Sequence, residues 1–310
     1  MLYVTTRSQN TTYTAQTAMQ EASAPDGGLF LPLTMPHMDP DALIHLTGLP
    51  FWECVAHILR LWFPSPVDGS VLRRYCGDGP EVLPIRYKTG LAQVWSQRTG
   101  SAAGLREELA SCLGVPPGPE ESWLTVGLEI AIIFGLYGQL CRSGVTSPGR
   151  PVYLAMDSGG FALPVAAQVA AQMGLPLAEL ICVASENNAF WELLHWGTAR
   201  LSSLPRNMER LLVLELGREN LARCCEPGGQ RLTLTEEARA RLCRRFYAAV
   251  AEDDRAEALL GRMNACPMSR NTAMIYCGLT DFRALRQTGA PAMLVAGHSP
   301  LMPDEQTSAQ

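Results

Sequence analysis

Lysine is nearly missing from this chain. Its 310 residues include 25 basic ones, of which Lys88 is the sole lysine and the rest are arginines. One side-chain amine is therefore all that covalent amine chemistry could draw on. No block of basic residues interrupts a net charge of −5. Nucleic acid and acidic membrane surfaces are excluded as expected partners. Ten cysteines are scattered from Cys54 to Cys277 without a CxxC pair or a histidine at ligand spacing. That pattern predicts reduced, buried thiols and no zinc site. The opening "MLYVTTRSQNTTYT" turns polar at residue 5 and lacks an apolar signal core, so the cytoplasm is the expected compartment. There is no internal repeat.

The longest apolar run, Trp123 to Cys141, carries Glu129, Gln139 and three glycines. Those interruptions favour a buried helix over a membrane span. The remaining composition, 47% hydrophobic and 18% charged, is that of a globular protein with ample core.

Near the N-terminus, "TAQTAMQEASA" (Thr14 to Ala24) has helical spacing and runs into the turn "PDGG". "DPDALIHL" and "PFWECVAHILRLWF" predict two further helices, the second turning Trp52, Val55, Ile58, Leu59 and Trp62 inward. "EVLPIRYKTGLAQVWSQ" holds two strand-like runs around Lys88-Thr89-Gly90. A helix is expected from about Ala103 to Gly114, and "VPPGPEES" after it cannot continue any regular element.

The clearest unit is "PVYLAM", "DSGGF", "ALPVAAQVAAQM", Gly174 and "AELICVAS": strand, tight turn, helix, cap and strand. A crossover of that length implies parallel strands. "TLTEEARARLCRRFYAAVAE" predicts one helix, with a Thr233–Glu236 capping box and a Glu237–Arg241 pair. "NTAMIYCGLTDFRALRQTG" predicts another, and "PAMLVAG" a closing strand. The expected fold class is α/β with a parallel-sheet core.

Chemistry could sit at the strand ends. "DSGGF", Asp157 to Phe161, joins a strand to a helix N-terminus, where amides and the helix dipole favour an anion such as phosphate. A plain tight turn is the alternative. "SENN" (Ser185 to Asn188) and "GHSP" (Gly297 to Pro300) end other strands. His298 and Ser299 are candidates there, but no acidic partner can be placed beside them and GxSxG is absent. His37, His45, His57 and His195 read as surface or core residues.

The segment order resembles threonine synthase, a pyridoxal-phosphate lyase. The resemblance is most specific at "APDGGLFLP" and "QMGLPLAELICVASENN". It extends to "FWECVAHILRLW", "ARLSSLPRNMERLLVLEL" and "AMLVAGHSP". It implies a fold of the tryptophan synthase β-like class (fold-type II). A small helical N-terminal domain would span 1–82 and a large domain 83–310.

The departures from that family are specific. The family's Gly-Pro-Thr-x-x-Phe-Lys-Asp helix start is similar to "GSAAGLREELASCLG", and the match sets Arg106 on the Schiff-base lysine and Glu107 on the aspartate. A guanidinium stays protonated and cannot form an imine, which requires a free amine. Lys88, eighteen residues earlier, reads as a turn lysine. The family's small domain is deleted near 115–121. The phosphate loop survives as Ser158, Gly159, Gly160, Phe161 and Ala162, with Gly160 replacing asparagine and Ala162 replacing glycine. Gly297 falls where a hydroxyl residue is expected near the pyridine nitrogen.

The resemblance therefore implies a threonine synthase-like homologue without the phosphohomoserine-to-threonine reaction, acting as a binding or regulatory protein. Pyridoxal 5'-phosphate, the family cofactor, would bind only weakly or non-covalently. One alternative is an active lyase with altered cofactor anchoring through Lys88. Another is a non-covalent binder of a small phosphorylated metabolite at "DSGGF". A homo-oligomer or an intact paralogue is the expected partner, docking around Val115 to Ser122, where deletion would bare apolar surface.

Overall fold

The computed structural model describes residues 1–63, 68–76, 81–87, 90–96, 111–114, 116, 118–119, 121–185, 188–225, 229–262 and 270–295. At 75–76, 81–87, 90–96 and 262 the backbone alone is described.

Three short strands, β1 (Leu2–Thr5), β2 (Tyr13–Thr14) and β3 (Phe30–Pro32), form an antiparallel sheet with β1 at its centre. Thr14 then caps α1 (Ala15–Gln20), its hydroxyl accepting the Thr17 N–H at 3.2 Å. The helix stops four residues before the expected Ala24. The Pro25–Gly28 turn is the cause: it closes on Ala24 through Ala24 N–H to Gly28 O (2.9 Å) and Gly27 N–H to Ala24 O (2.8 Å). Asp26 braces the turn by accepting Gly28 N–H at 2.8 Å and the Thr5 hydroxyl at 2.6 Å.

Asp39 caps α2 (Pro40–Gly48), and α3 (Phe51–Trp62) buries the five residues that its spacing predicted. After α4 (Gly69–Cys76), β4 (Glu81–Tyr87) and β5 (Gly90–Ser96) pair antiparallel, as the two strand-like runs implied. The apolar run is α5 (Trp123–Arg142). It is long and apolar enough to cross a membrane, yet most of it is buried against α3, α2 and the crossover helix that follows.

That crossover is β6 (Val152–Asp157), α6 (Ala162–Gln172) and β7 (Leu177–Ala184), with the two strands parallel. Beyond it come α7 (Ala189–Trp196), β8 (Thr198–Arg200), α8 (Arg206–Leu216), α9 (Arg218–Cys224) and β9 (Arg231–Thr233). The chain then runs through α10 (Glu236–Arg245), β10 (Phe246–Val250), α11 (Asp253–Arg262), α12 (Arg270–Arg286) and β11 (Ala292–Val295).

The main sheet has the order β10-β7-β6-β11-β5-β4 and is parallel except at β4. Alternate residues of its central strands enter two different cores. Leu154, Met156, Leu180 and Cys182 join the larger one with α5 and α6. Ala155, Ile181 and Val183 join a smaller one with Ile275, Leu279 and Phe282 of α12.

The expected single helix over "TLTEEARARLCRRFYAAVAE" is corrected. It breaks at Phe246, and Phe246–Val250 pairs in parallel with Leu180–Ala184 as the outer strand β10. Its two alanines suit a helix, Phe246, Tyr247 and Val250 favour a strand, and pairing with β7 decides between them. The cap is Thr235, whose hydroxyl accepts Ala238 N–H at 3.2 Å, while Thr233 pairs with Thr198 across β8 and β9. Arg241 turns to Glu215 at 3.8 Å in place of Glu237.

Desolvation pushes the carboxyl of Glu129, a half-buried residue of α5, from 4.5 up to about 7. The folded protein then holds a proton that the unfolded chain has released, so stability falls as pH rises from about 4.5 to about 7. Urea unfolding midpoints across that range will show the decline, and Glu129→Gln will flatten it.

Candidate functional site

Parallel strands deliver their carboxyl ends to one edge of the sheet, and there β6 and β7 open a cleft of about 330 Å³. Asp157, Ser158, Gly159 and Gly160 form one wall. Asn188 and Asn271 contribute amides from the starts of α7 and α12.

The turn is built tightly. Ser158 donates both its N–H (3.0 Å) and its hydroxyl (3.1 Å) to Val183 O, and its Oγ accepts from Asn188 Nδ2 at 3.0 Å. Asn188 in turn caps α7 by accepting Trp191 N–H at 3.0 Å. Gly160 (φ 60) and Phe161 (φ 65) are consecutive left-handed residues. Glycine tolerates that region, whereas for phenylalanine it is strained by about 1 kcal/mol or more. Burial holds the strained residue in place: the Phe161 ring is fully buried, edge-on to Phe190 at 4.9 Å, and Phe190 meets Phe246 at 5.6 Å.

The loop is also held from behind. Asn207 Nδ2 donates to Gly160 O at 3.1 Å, and its Oδ1 accepts from the Arg210 guanidinium. Arg210 is fully buried on α8 and donates Nε to Phe30 O of β3 at 2.9 Å. Its guanidinium lies 5.8 Å from the centre of the Trp123 ring. Burial pulls its pKa down to about 9, which still leaves it charged at neutral pH.

Fit to a phosphate can be read from the amides. Gly159 N–H, an amide such a loop would offer, is already taken by Asp157 Oδ1 at 2.7 Å. Phe161 N–H points back to Gly159 O at 2.6 Å. Pro164, at the third helical position, has no N–H to offer. Among the described residues lining the cleft, the one charged side chain is the Asp157 carboxylate. With two amides spent and a carboxylate beside them the loop disfavours a phosphate, and with it pyridoxal phosphate, while the amides of Gly160, Ala162 and Leu163 have no acceptor among the described residues. What the walls can do is hydrogen-bond and orient a polar group.

Of the five expected loop residues, Ser158, Gly159 and Gly160 border the cleft. Phe161 faces the core, and Ala162 lies behind at the helix start. Lys88, Arg106, Glu107, Gly297, His298 and Ser299 lie outside the described residues. Asp157 was read only as the first residue of the turn, and Asn207, Arg210 and Asn271 were not singled out from the sequence. A signal existed for the first, because an aspartate two residues before a glycine is an Asx-turn pattern. The others depend on contacts across the fold.

These elements have known counterparts. The family model of the threonine synthase N terminus matches residues 2–78. No curated protein matches the chain in sequence. In structure, the chain superposes on yeast threonine synthase with a TM-score of 0.78 and 15% identity, over 96% of this chain and 87% of that one. For pyridoxal-phosphate-bound threonine synthase from Brucella melitensis the values are 0.75, 15%, 96% and 88%. For the Escherichia coli enzyme they are 0.67, 15%, 97% and 89%.

The fold is therefore the α/β, parallel-sheet fold of these threonine synthases. Within it, the chain is threonine synthase-like by its N-terminal region and its fold.

Asn207→Ala would strip a partner from both Gly160 O and the buried Arg210. The expected loss is about 1–3 kcal/mol. Chemical denaturation will read it as a lower midpoint with an unchanged slope.

Proposed function

We propose that this protein is a threonine synthase-like pseudoenzyme: it keeps the fold, lacks the lyase reaction, and serves as a binding or regulatory protein. The observation that carries this reading is the Asp157 carboxylate on Gly159 N–H, at 2.7 Å. A phosphate loop works by presenting free amides to an incoming anion. Here the chain supplies its own anion, and a second one beside it meets repulsion as well as a missing donor.

The amine inventory supports the same reading. Imine chemistry needs a lysine that can lose its proton, and the resemblance sets Arg106 at that position. Lys88 is the one remaining ε-amine in the chain. The protein acts in the cytoplasm, with a second copy or an intact paralogue as its partner.

The test is spectroscopic and chemical. Purified protein mixed with pyridoxal phosphate will show no aldimine absorbance that Lys88→Ala removes, and it will release no threonine from O-phosphohomoserine. Threonine release by the wild-type protein would overturn the reading.

Asp157→Ser frees the Gly159 amide and removes the negative charge. Inorganic phosphate should then raise the melting temperature of the variant while leaving wild type unmoved. An equal response from both proteins would mean that Asp157 does not guard the loop.

A further inference from the structure

A second cavity, of about 410 Å³, opens where Arg7 meets α8 and α9. It is walled by Leu201, Leu204, Leu212, Leu221 and Leu232. Leu212 and Leu232 are buried, and the other three are half-buried, so the hollow has an apolar floor and an apolar rim. Small-molecule sites have this make-up: mostly apolar walls with a few converging polar groups.

Three charged side chains reach the cavity: Arg7, Arg206 and Glu209. Glu209 is already engaged, since its Oε1 accepts the Thr6 hydroxyl at 2.6 Å and faces Arg7 Nε at 3.4 Å. Arg206 is exposed and has no carboxylate within ion-pair distance among the described residues. The pair cancels and one guanidinium is left over, so the mouth carries a net positive charge. Leucines below and a free planar fork above match one kind of molecule. Apolar surface seeks the leucines, and a carboxylate pairs in two-point fashion with a guanidinium.

We propose that this cavity is a binding site for a small amphipathic carboxylate, with its hydrocarbon chain on the leucines and its head group on Arg206. The site is distinct from the cleft at Asp157 in chemistry, because its free charge has the opposite sign.

Cys225 supplies the readout. Its exposed thiol lines the same cavity and points at Leu221 O, 3.5 Å away. A ligand seated on the leucines would shield that sulfur. Octanoate is the probe and octanol its uncharged control. Alkylation of Cys225 by iodoacetamide is followed by peptide mass spectrometry, with half-buried Cys243 as internal reference.

Octanoate should slow Cys225 alkylation several-fold without slowing Cys243, and Arg206→Gln should restore the free rate. Four results would overturn the proposal: no slowing, equal slowing in Arg206→Gln, equal slowing by octanol, or equal slowing of Cys243. Arg206 is exposed, so its replacement is not expected to disturb folding.

Discussion

A buried guanidinium joins the parts of this molecule. Arg210 sits fully out of solvent on α8, bound to the Phe30 carbonyl of the N-terminal sheet and to Asn207, over the Trp123 ring. No carboxylate lies within ion-pair distance among the described residues and Nη2 is unpartnered, so these two hydrogen bonds offset a desolvation cost of several kcal/mol. The N-terminal strand, the core helix α5 and the loop beneath the cleft must therefore assemble together around it. Tyr3 and Trp62 complete the junction: each meets Trp123 edge-on, at 5.7 Å and 5.5 Å. The loop inherits its conformation from this arrangement, because Asn207 relays the guanidinium to Gly160.

The same loop shows how a strand-turn-helix unit can spend its own amides. Strand, turn and helix keep the geometry that brings amides to a strand end. A carboxylate at Asp157 takes the Gly159 amide, the Phe161 N–H folds back on Gly159 O, and Pro164 has no N–H. Charge sets the character of this turn as much as shape does. It leaves a cleft with hydroxyl and amide groups and a single anion of its own among its described walls. The second cavity has the reverse balance, with an unspent cation above leucines.

Much of the scaffold was legible along the chain. The 3.6-residue spacing of "FWECVAHILRLW" marked the buried face of α3, and the apolar runs flanking "DSGGF" marked β6, α6 and β7. Those patterns are local and follow from repeat geometry. The failures lay where two states compete on nearly equal terms. Phe246–Val250 has residues that a helix would accept, and its pairing with β7 is a contact between segments more than sixty residues apart. Residues 21–24 continued a helical spacing, but the Asp26 turn and its bond to Thr5 drew them away.

From its sequence alone the chain determined its fold class, its shortage of amines and the glycine turn between two strands. Each is a matter of composition or of near neighbours. Tertiary structure decided where the turn's hydrogen bonds go, because donors and acceptors are satisfied by whatever packing brings within 3 Å. Asn207 lies 47 residues from Gly160 and Phe30 lies 180 residues from Arg210, and no periodicity encodes their meeting. The character of the cleft was decided in that way: a carboxylate and an amide, two residues apart, met in a geometry that only the folded turn imposes.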